Sequence, residues 1–573
     1  MLKQFSQKWL MLISLLTITA LVAACSNSGS NNGNNKDHSA TPGSTSTSTS
    51  TPPPLYTIKV YTKTQLNVKS SDETDVGKFI KDKFNIVFDY VPYVGDYNEK
   101  NNLMLATADY PEIIELSGNE IVKKYIDANA LVALDDYLPD SREFTEVYKE
   151  QIPLWRISED KKLYKWETQT PTVFDFAAPN APDMAVRTDA LEKQGWPNLE
   201  SEDDWVNFLK TAMEQFPTTN GLKTIGLVAP FGAPWGISGV AGILYEKGPD
   251  YTGIAGNAGV IFNHTTDKYE DYLKVPDVKK SFKFFNRLYR EGILDKESFT
   301  DTPVQNLEKL SSGRALAQWY YLNFPTANAA LQKAAHPEMQ YIRLPIRTNE
   351  QAAAKAPRLF MEQLTNPFNS VAITKKAKDP KRIFELINWA ASEEGQLIIQ
   401  SGLKDIHYTI KDGKREPTQL FIDAIKDEKN AKISGYLNFL GKRDVRAADG
   451  ELYALGSIPR ITDEFTLTDR QKEAYKKLGW SNSAEYWLKN GKGVNTGIVP
   501  SITNDPKSAE GLTEQKMTEL RSKTTVNLIM ADSEEEFEKI WTNLNKEYEK
   551  LNPQTVVDKY NKSYQEAKAG LAK

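Results

Sequence analysis

Between Tyr56 and Leu116 the chain switches repeatedly between two hydrophobic periods, and this alternation restricts the fold more than any other feature. Tyr56-Thr57-Ile58-Lys59-Val60-Tyr61 alternates at period two and is rich in β-branched and aromatic residues, which predicts a half-buried strand. Val76 to Phe84 reads as a short helix and Ile86-Val87-Phe88-Asp89-Tyr90-Val91 as a second strand. Asn98 to Thr107 is again helical, and Glu112-Ile113-Ile114-Glu115-Leu116 is a buried-type third strand. A β-α-β-α-β order predicts an α/β fold with a mostly parallel sheet and helices on its faces. In such sheets ligands gather beyond the carboxyl ends of the strands. Ser117 and Asn119, just past the third strand, lie at such a place.

The first 54 residues are of a different kind. Lys3 and Lys8 make a positive start, and Leu10 to Ala24 is a nearly unbroken apolar run. Its length suits an export signal and is short for a membrane span. The run ends in Leu21-Val22-Ala23-Ala24-Cys25. This resembles a bacterial lipobox, although Val22 stands where leucine is commoner. The resemblance implies a signal peptide at residues 1–24 and lipidation of Cys25 as the mature N-terminus. The alternative is an uncleaved anchor helix with an incidental cysteine. Cys25 is the only cysteine in 573 residues, so an intrachain disulfide and any multi-cysteine metal or iron–sulfur site are excluded. Residues 25–54 are largely Ser, Asn, Gly, Thr and Pro, and include Ser44-Thr45-Ser46-Thr47-Ser48-Thr49-Ser50-Thr51 and Pro52-Pro53-Pro54. Such a composition cannot bury enough apolar surface to offset ordering, and it reads as a disordered tether spanning roughly 30 Å. No second apolar run is long enough to span a bilayer.

From residue 55 onward more than 500 residues remain, too many for one core, so two or more lobes are expected. With 71 Lys+Arg against 76 Asp+Glu, the formal charge is only −5, which argues against a nucleic-acid partner. The four histidines, His38, His264, His336 and His407, are too scattered for a dedicated metal site, and no cofactor or metal is expected. Tyr and Trp number 26 and 11, a surplus that suits a carbohydrate or interface surface, though ordinary core packing accounts for most of them. Trp205, Phe208, Leu209, Ala212, Met213 and Phe216 share one helical face behind the cap Ser201, so Trp205 reads as core. Phe282, Phe285 and Leu288 form a second stripe ended by Gly292; Ile383, Leu386, Ile387 and Ala390 form a third ended by Gly395.

Six stretches, taken in order, carry a family likeness. They are Leu103 to Ile114 (LMLATADYPEII), Tyr125 to Tyr137 (ending LVALDDY), Ala185 to Gly195 (AVRTDALEKQG), Leu288 to Asp295 (LYREGILD), Ile387 to Gly395 (INWAASEEG), and the tail around Leu528 to Ala531 with Phe537. Together they resemble extracellular solute-binding proteins of family 1, in particular the large lipoproteins of Gram-positive ABC sugar importers. The resemblance implies a two-lobed, periplasmic-binding-protein-like (type II) fold whose discontinuous lobes meet at a hinge. It places one lobe at 55–175 and 345–395, and the other at 176–344 and 396–573. It further implies a monomer at the extracellular face of the cell membrane, held there only by its lipid, that captures an oligosaccharide and hands it to the permease of an ABC transporter. One departure stands out. Relatives often carry a calcium loop after the helix corresponding to 203–216, yet this chain has Phe216-Pro217-Thr218-Thr219-Asn220-Gly221-Leu222-Lys223-Thr224, without carboxylates. A plain turn is expected there.

A sugar site needs aromatic faces for the ring and planar polar groups for the hydroxyls. Three stretches qualify. Tyr164-Lys165-Trp166 through Asp175-Phe176 lies at the first expected crossing between lobes. Leu227 to Gly236 is a strand running into a Gly/Pro loop with Phe231 and Trp235; a turn whose Trp fills a local gap explains it equally well. Ala315 to Tyr321 is a strand ending in three aromatics, of which Trp319 and Tyr320 are the candidates, on opposite faces. Arg187 could fork onto an acidic sugar or onto a structural carboxylate. An enzyme is the weaker alternative: a glycoside hydrolase needs two carboxylates about 5–9 Å apart, and the chain contains no G-x-S-x-G, H-E-x-x-H or G-x-x-x-x-G-K-[ST] motif. A surface interaction or sensor protein would use the same tether.

Overall fold

The computed structural model describes residues 53–63, 68–93, 95–168, 171, 183–232, 250–254, 259–319, 324–426, 433 and 437–571. Residues from Pro53 onward form one compact unit. The signal segment, the tether and Cys25 lie outside the described residues. Among those described, no helix is long and apolar enough to cross a membrane.

The alternation read in the sequence is the first half of a five-stranded sheet. Strands β1 (Tyr56–Tyr61), β2 (Ile86–Tyr90) and β3 (Ile113–Leu116) pair in parallel, with β1 between the other two. Helices α1 (Asp75–Phe84) and α2 (Tyr97–Thr107) join them. The second half departs from the expected parallel arrangement. The strand Ser370–Ile373 runs antiparallel to β3, and the short edge strand β4 (Trp166–Glu167) runs antiparallel to Ser370–Ile373. The reason is the route of the chain. Ser370–Ile373 has no crossover helix within this sheet; it follows the strand Arg358–Gln363, which pairs elsewhere with Gly491–Gly497, and enters beside the carboxyl end of β3.

The second sheet has the order Tyr341–Leu344, β5 (Met184–Arg187), Ala315–Trp319, Ile225–Val228. Its last two strands are parallel, and β5 is antiparallel to both neighbours. Each sheet has its own core. Ile58, Ile86, Phe88 and Ile113 pack with Ile383 and Ile387 of the helix Pro380–Ala391. Val186, Leu227 and Ala317 pack with Trp205, Phe285 and the C-terminal Leu528, Phe537 and Tyr548.

Ile399, Leu437, Phe439 and Leu440 belong to the core of the first sheet, and Tyr408, Phe421, Leu452, Leu455 and Ile461 form a small core of their own. With Leu467, Ala474 and Tyr475 the chain rejoins the second core. We propose on this ground that the second lobe's final part begins later than residue 396. Gly395 plays another part than the one expected. It does not end the third helix; Ser392 does, and its hydroxyl then accepts the Gly395 N–H to cap a new helix, Glu393–Ser401. A Cβ on Gly395 would sit 2.2 Å from the Trp389 carbonyl oxygen, so glycine is required by close approach.

Other local readings hold. Ser201 and Asp204 form a capping box on the helix Glu202–Gln215, and fully buried Trp205 donates its Nε1–H to the Pro345 carbonyl at 2.9 Å. Asn220 and Gly221, at φ 52° and 77°, turn a two-residue hairpin between Thr218–Thr219 and Leu222–Lys223.

The hairpin-bearing stretch after Ser401 is fastened to α1 by the buried His407. Its Nδ1 accepts the Leu403 N–H at 2.8 Å, leaving Nε2 to donate to Asp75 at 3.2 Å. Burial holds the imidazole below its usual value, with Asp75 acting in the opposite direction. The unfolded chain therefore takes up this proton at a higher pH than the fold does. The stability it reflects is complete above pH 6.5 and is lost as pH falls through the folded value. Chemical denaturation of residues 53–573 is expected to show stability falling between pH 7.5 and 5.5, with a shallower slope for His407→Gln. An unchanged slope would show that this ring does not titrate on unfolding.

Candidate functional site

The carboxyl ends of β1, β2 and β3 open onto a rim of polar and aromatic side chains. After β3, Gly118 adopts φ 109° and turns the chain into α3 (Asn119–Asp127), donating its N–H to the Pro367 carbonyl at 2.9 Å. Ser117 beside it is half-exposed. Asn119 is buried, and its Oδ1 accepts from Lys165 Nζ at 2.8 Å. The same ammonium donates to Glu167 Oε1 at 2.6 Å and to Ser370 Oγ at 3.0 Å, using all three of its protons. Lys165 and Glu167 are each 1% exposed. Burial lowers the Lys165 value, and the adjacent carboxylate opposes it.

A second, looser pair lies nearby. Lys63, just past β1, donates to Asn369 Oδ1 at 3.0 Å and stands 3.9 Å from Glu115. Burial lowers the lysine and raises the carboxyl. Tyr93 donates its hydroxyl to the Lys63 carbonyl at 2.7 Å, and Tyr97 donates to the Glu115 carbonyl. Tyr61 stacks on Tyr97 at 4.9 Å and meets Tyr93 edge-on at 5.5 Å. These contacts fix the strand ends as a rigid edge. At its outer margin Phe368 is 61% exposed, although the residues on both sides of it are hydrogen-bonded to neighbouring strands.

The side chains singled out in the sequence are distributed unevenly around this edge. Asn119 and Lys165 meet at this edge, with Ser117 two residues before Asn119. Trp166 does not present its ring. It is fully buried, with its Nε1–H on the Phe439 carbonyl at 2.7 Å. Phe231 is buried between Phe285 and Phe299, and Trp319 meets Phe285 perpendicularly at 4.7 Å. All three fill cores here, because each ring sits on the inner face of its strand or loop. Arg187 pairs with Asp189 and donates to the Gly313 carbonyl at 2.6 Å. It lies opposite Tyr341, at the end of the second sheet away from the carboxyl ends of Ile225–Val228 and Ala315–Trp319. Its guanidinium is thus held by a structural carboxylate. Trp235, Tyr320 and Asp175 lie outside the described residues. Among the described residues, no cluster of His, Cys, Asp and Glu could hold a metal ion.

Sequence reasoning missed Phe368, Lys63 and Tyr93. The available signal for Phe368 was an aromatic between Pro367 and Asn369, immediately before a strand.

No family model matches the chain. It is 23% identical over 334 residues to lipoprotein LipO of Bacillus subtilis (strain 168), covering 55% of this chain and 60% of LipO; the chain thus spans less than two thirds of that relative. Among solved structures, it is similar to the Streptococcus pneumoniae ABC-transporter substrate-binding protein FusA in complex with kestose. The TM-score is 0.59 at 15% identity, over 90% of this chain and all of FusA. It is also similar to the alginate-binding protein AlgQ2 without calcium ion, with TM-score 0.58 at 15% identity over 89% of this chain and 98% of AlgQ2. The two sheets with separate cores, and the chain's passages between them, therefore form the two-lobed α/β fold of solute-binding proteins.

Proposed function

We propose that this protein is a lipid-anchored receptor of an ABC importer. In this reading it captures an oligosaccharide between its lobes outside the cell and delivers it to the permease, without altering it chemically. The observation that carries the reading is the rim at the carboxyl ends of β1–β3. There, the partly exposed Ser117 and Lys63 and the exposed Phe368 ring stand on a hydrogen-bonded edge, in a fold whose solved relatives are substrate-binding proteins. Cys25 would hold the lipid, the Ser/Thr-rich stretch would be the tether, and the body would act as a monomer. Trp235, Tyr320 and Asp175 remain candidates for the remainder of the site. The mechanism is population shift: a ligand that touches both lobes favours the closed form by the extra contacts it makes there.

A thermal-shift screen of residues 53–573 over an oligosaccharide panel tests this. Ligand stabilises the folded state by mass action, by about 2.7 kcal/mol at a hundred times Kd. The expected result is a dose-dependent rise in Tm for one sugar class, with the sugar recovered intact by chromatography. New product peaks, or no shift with any sugar, would overturn the reading.

A further inference from the structure

Phe368 is 61% exposed and stands on a firmly held turn, Pro367–Asn369. The Pro367 carbonyl accepts the Gly118 N–H at 2.9 Å and the Ser370 hydroxyl at 2.8 Å. The Asn369 carbonyl accepts the Thr168 N–H at 3.0 Å, and its side-chain oxygen accepts Lys63. The backbone is therefore fixed from both neighbouring strands while the ring faces solvent.

The position matters as much as the mounting. The chain leaves the first sheet just after β4, at Thr168, and its next strand is β5 of the second sheet; it returns just before Pro367 from Arg358–Gln363, a strand paired with Gly491–Gly497 outside the first sheet. Both passages meet the first sheet at this turn, so Phe368 stands at the root of the space between the lobes. Around it are polar groups that a sugar could reach: the partly exposed Ser117 and the partly exposed Lys63, whose ammonium is held by Asn369. Among the described residues of the rim the charges cancel, since Lys63 faces Glu115 and Lys165 faces Glu167.

From this placement we infer that Phe368 is a ring platform of the first lobe, and that it takes an uncharged hexose unit rather than a uronate. The inference rests on the receptor reading above and deepens it. A flat apolar face receives the C–H face of a pyranose or furanose, and a preset ring gives up little conformational freedom on binding. A site with no net charge has no electrostatic preference for a carboxylate, which would lose hydration on entering it.

Residues 53–573, wild type, Phe368→Ala and Phe368→Trp, are to be titrated calorimetrically with neutral hexose oligosaccharides and with uronate oligosaccharides. The expected result is that the wild type binds a neutral oligosaccharide, that Phe368→Ala weakens it at least tenfold with unchanged Tm, and that Phe368→Trp retains it. Wild-type binding with Phe368→Ala within twofold overturns the platform while leaving the receptor reading intact. Binding of uronates alone overturns the uncharged class. Binding of neither overturns the receptor reading and the platform with it.

Discussion

Replacing Lys165 by methionine is expected to cost about 3–5 kcal/mol of unfolding free energy, the range found when one partner of a buried ion pair is removed. Among the described residues the ammonium is the one cation paired with Glu167, in a site where both are 1% exposed. Without it the carboxylate keeps its hydrogen bond from the Asn366 N–H but loses its counter-charge, and the Asn119 and Ser370 side chains lose a donor. One further measurement separates this cause from simple loss of packing. The double variant Lys165→Met/Glu167→Met removes both charges and is expected to recover much of the loss, because a buried pair is often replaceable by apolar groups of like volume. A loss under about 1 kcal/mol in the single variant would mean that water reaches the pair and that it does not hold the rim.

The rim also shows what a sequence can and cannot disclose. Local elements were legible because their causes are local. The Tyr56–Tyr61 alternation, the Ser201 capping box and the Asn220-Gly221 turn each depend on a few adjacent residues, and each forms as read. The place of the proposed site was half legible, since the carboxyl ends of parallel strands follow from topology. Which aromatic meets solvent was not. Phe231, Trp166 and Phe368 all sit at strand ends or turns, and the same ring serves a core or a platform. The decision lies with distant partners: Phe439 covers Trp166 and Phe285 covers Phe231, while Phe368 is 61% exposed. The packing of residues 396–465 was illegible for the same reason. Their apolar residues would suit either core, and only the fold brings Leu437 and Phe439 to the first sheet.

Trp166→Ala gives the sharpest test of that distinction. If the ring were a sugar platform, truncation would weaken binding and leave stability untouched. The structure requires the reverse. The ring is wholly buried, lies beside Gly441, and donates its Nε1–H to the Phe439 carbonyl at 2.7 Å, so it joins β4 to a segment more than 250 residues further on. Truncating a buried Trp costs about 3–5 kcal/mol, from lost transfer energy and from the cavity left behind. The unsatisfied Phe439 carbonyl adds to that loss, by about 1–3 kcal/mol where water cannot reach it. Trp166→Phe keeps most of the bulk and loses the hydrogen bond, so it should fall between the alanine variant and the wild type. Urea unfolding of residues 53–573 measures all three, with the midpoint reporting stability and the slope checking that the transition remains cooperative. A Trp166→Ala protein as stable as the wild type would place the ring in solvent. It would return the residue to the binding site, and the Phe439 segment would then have to be held to the first sheet by its other contacts alone.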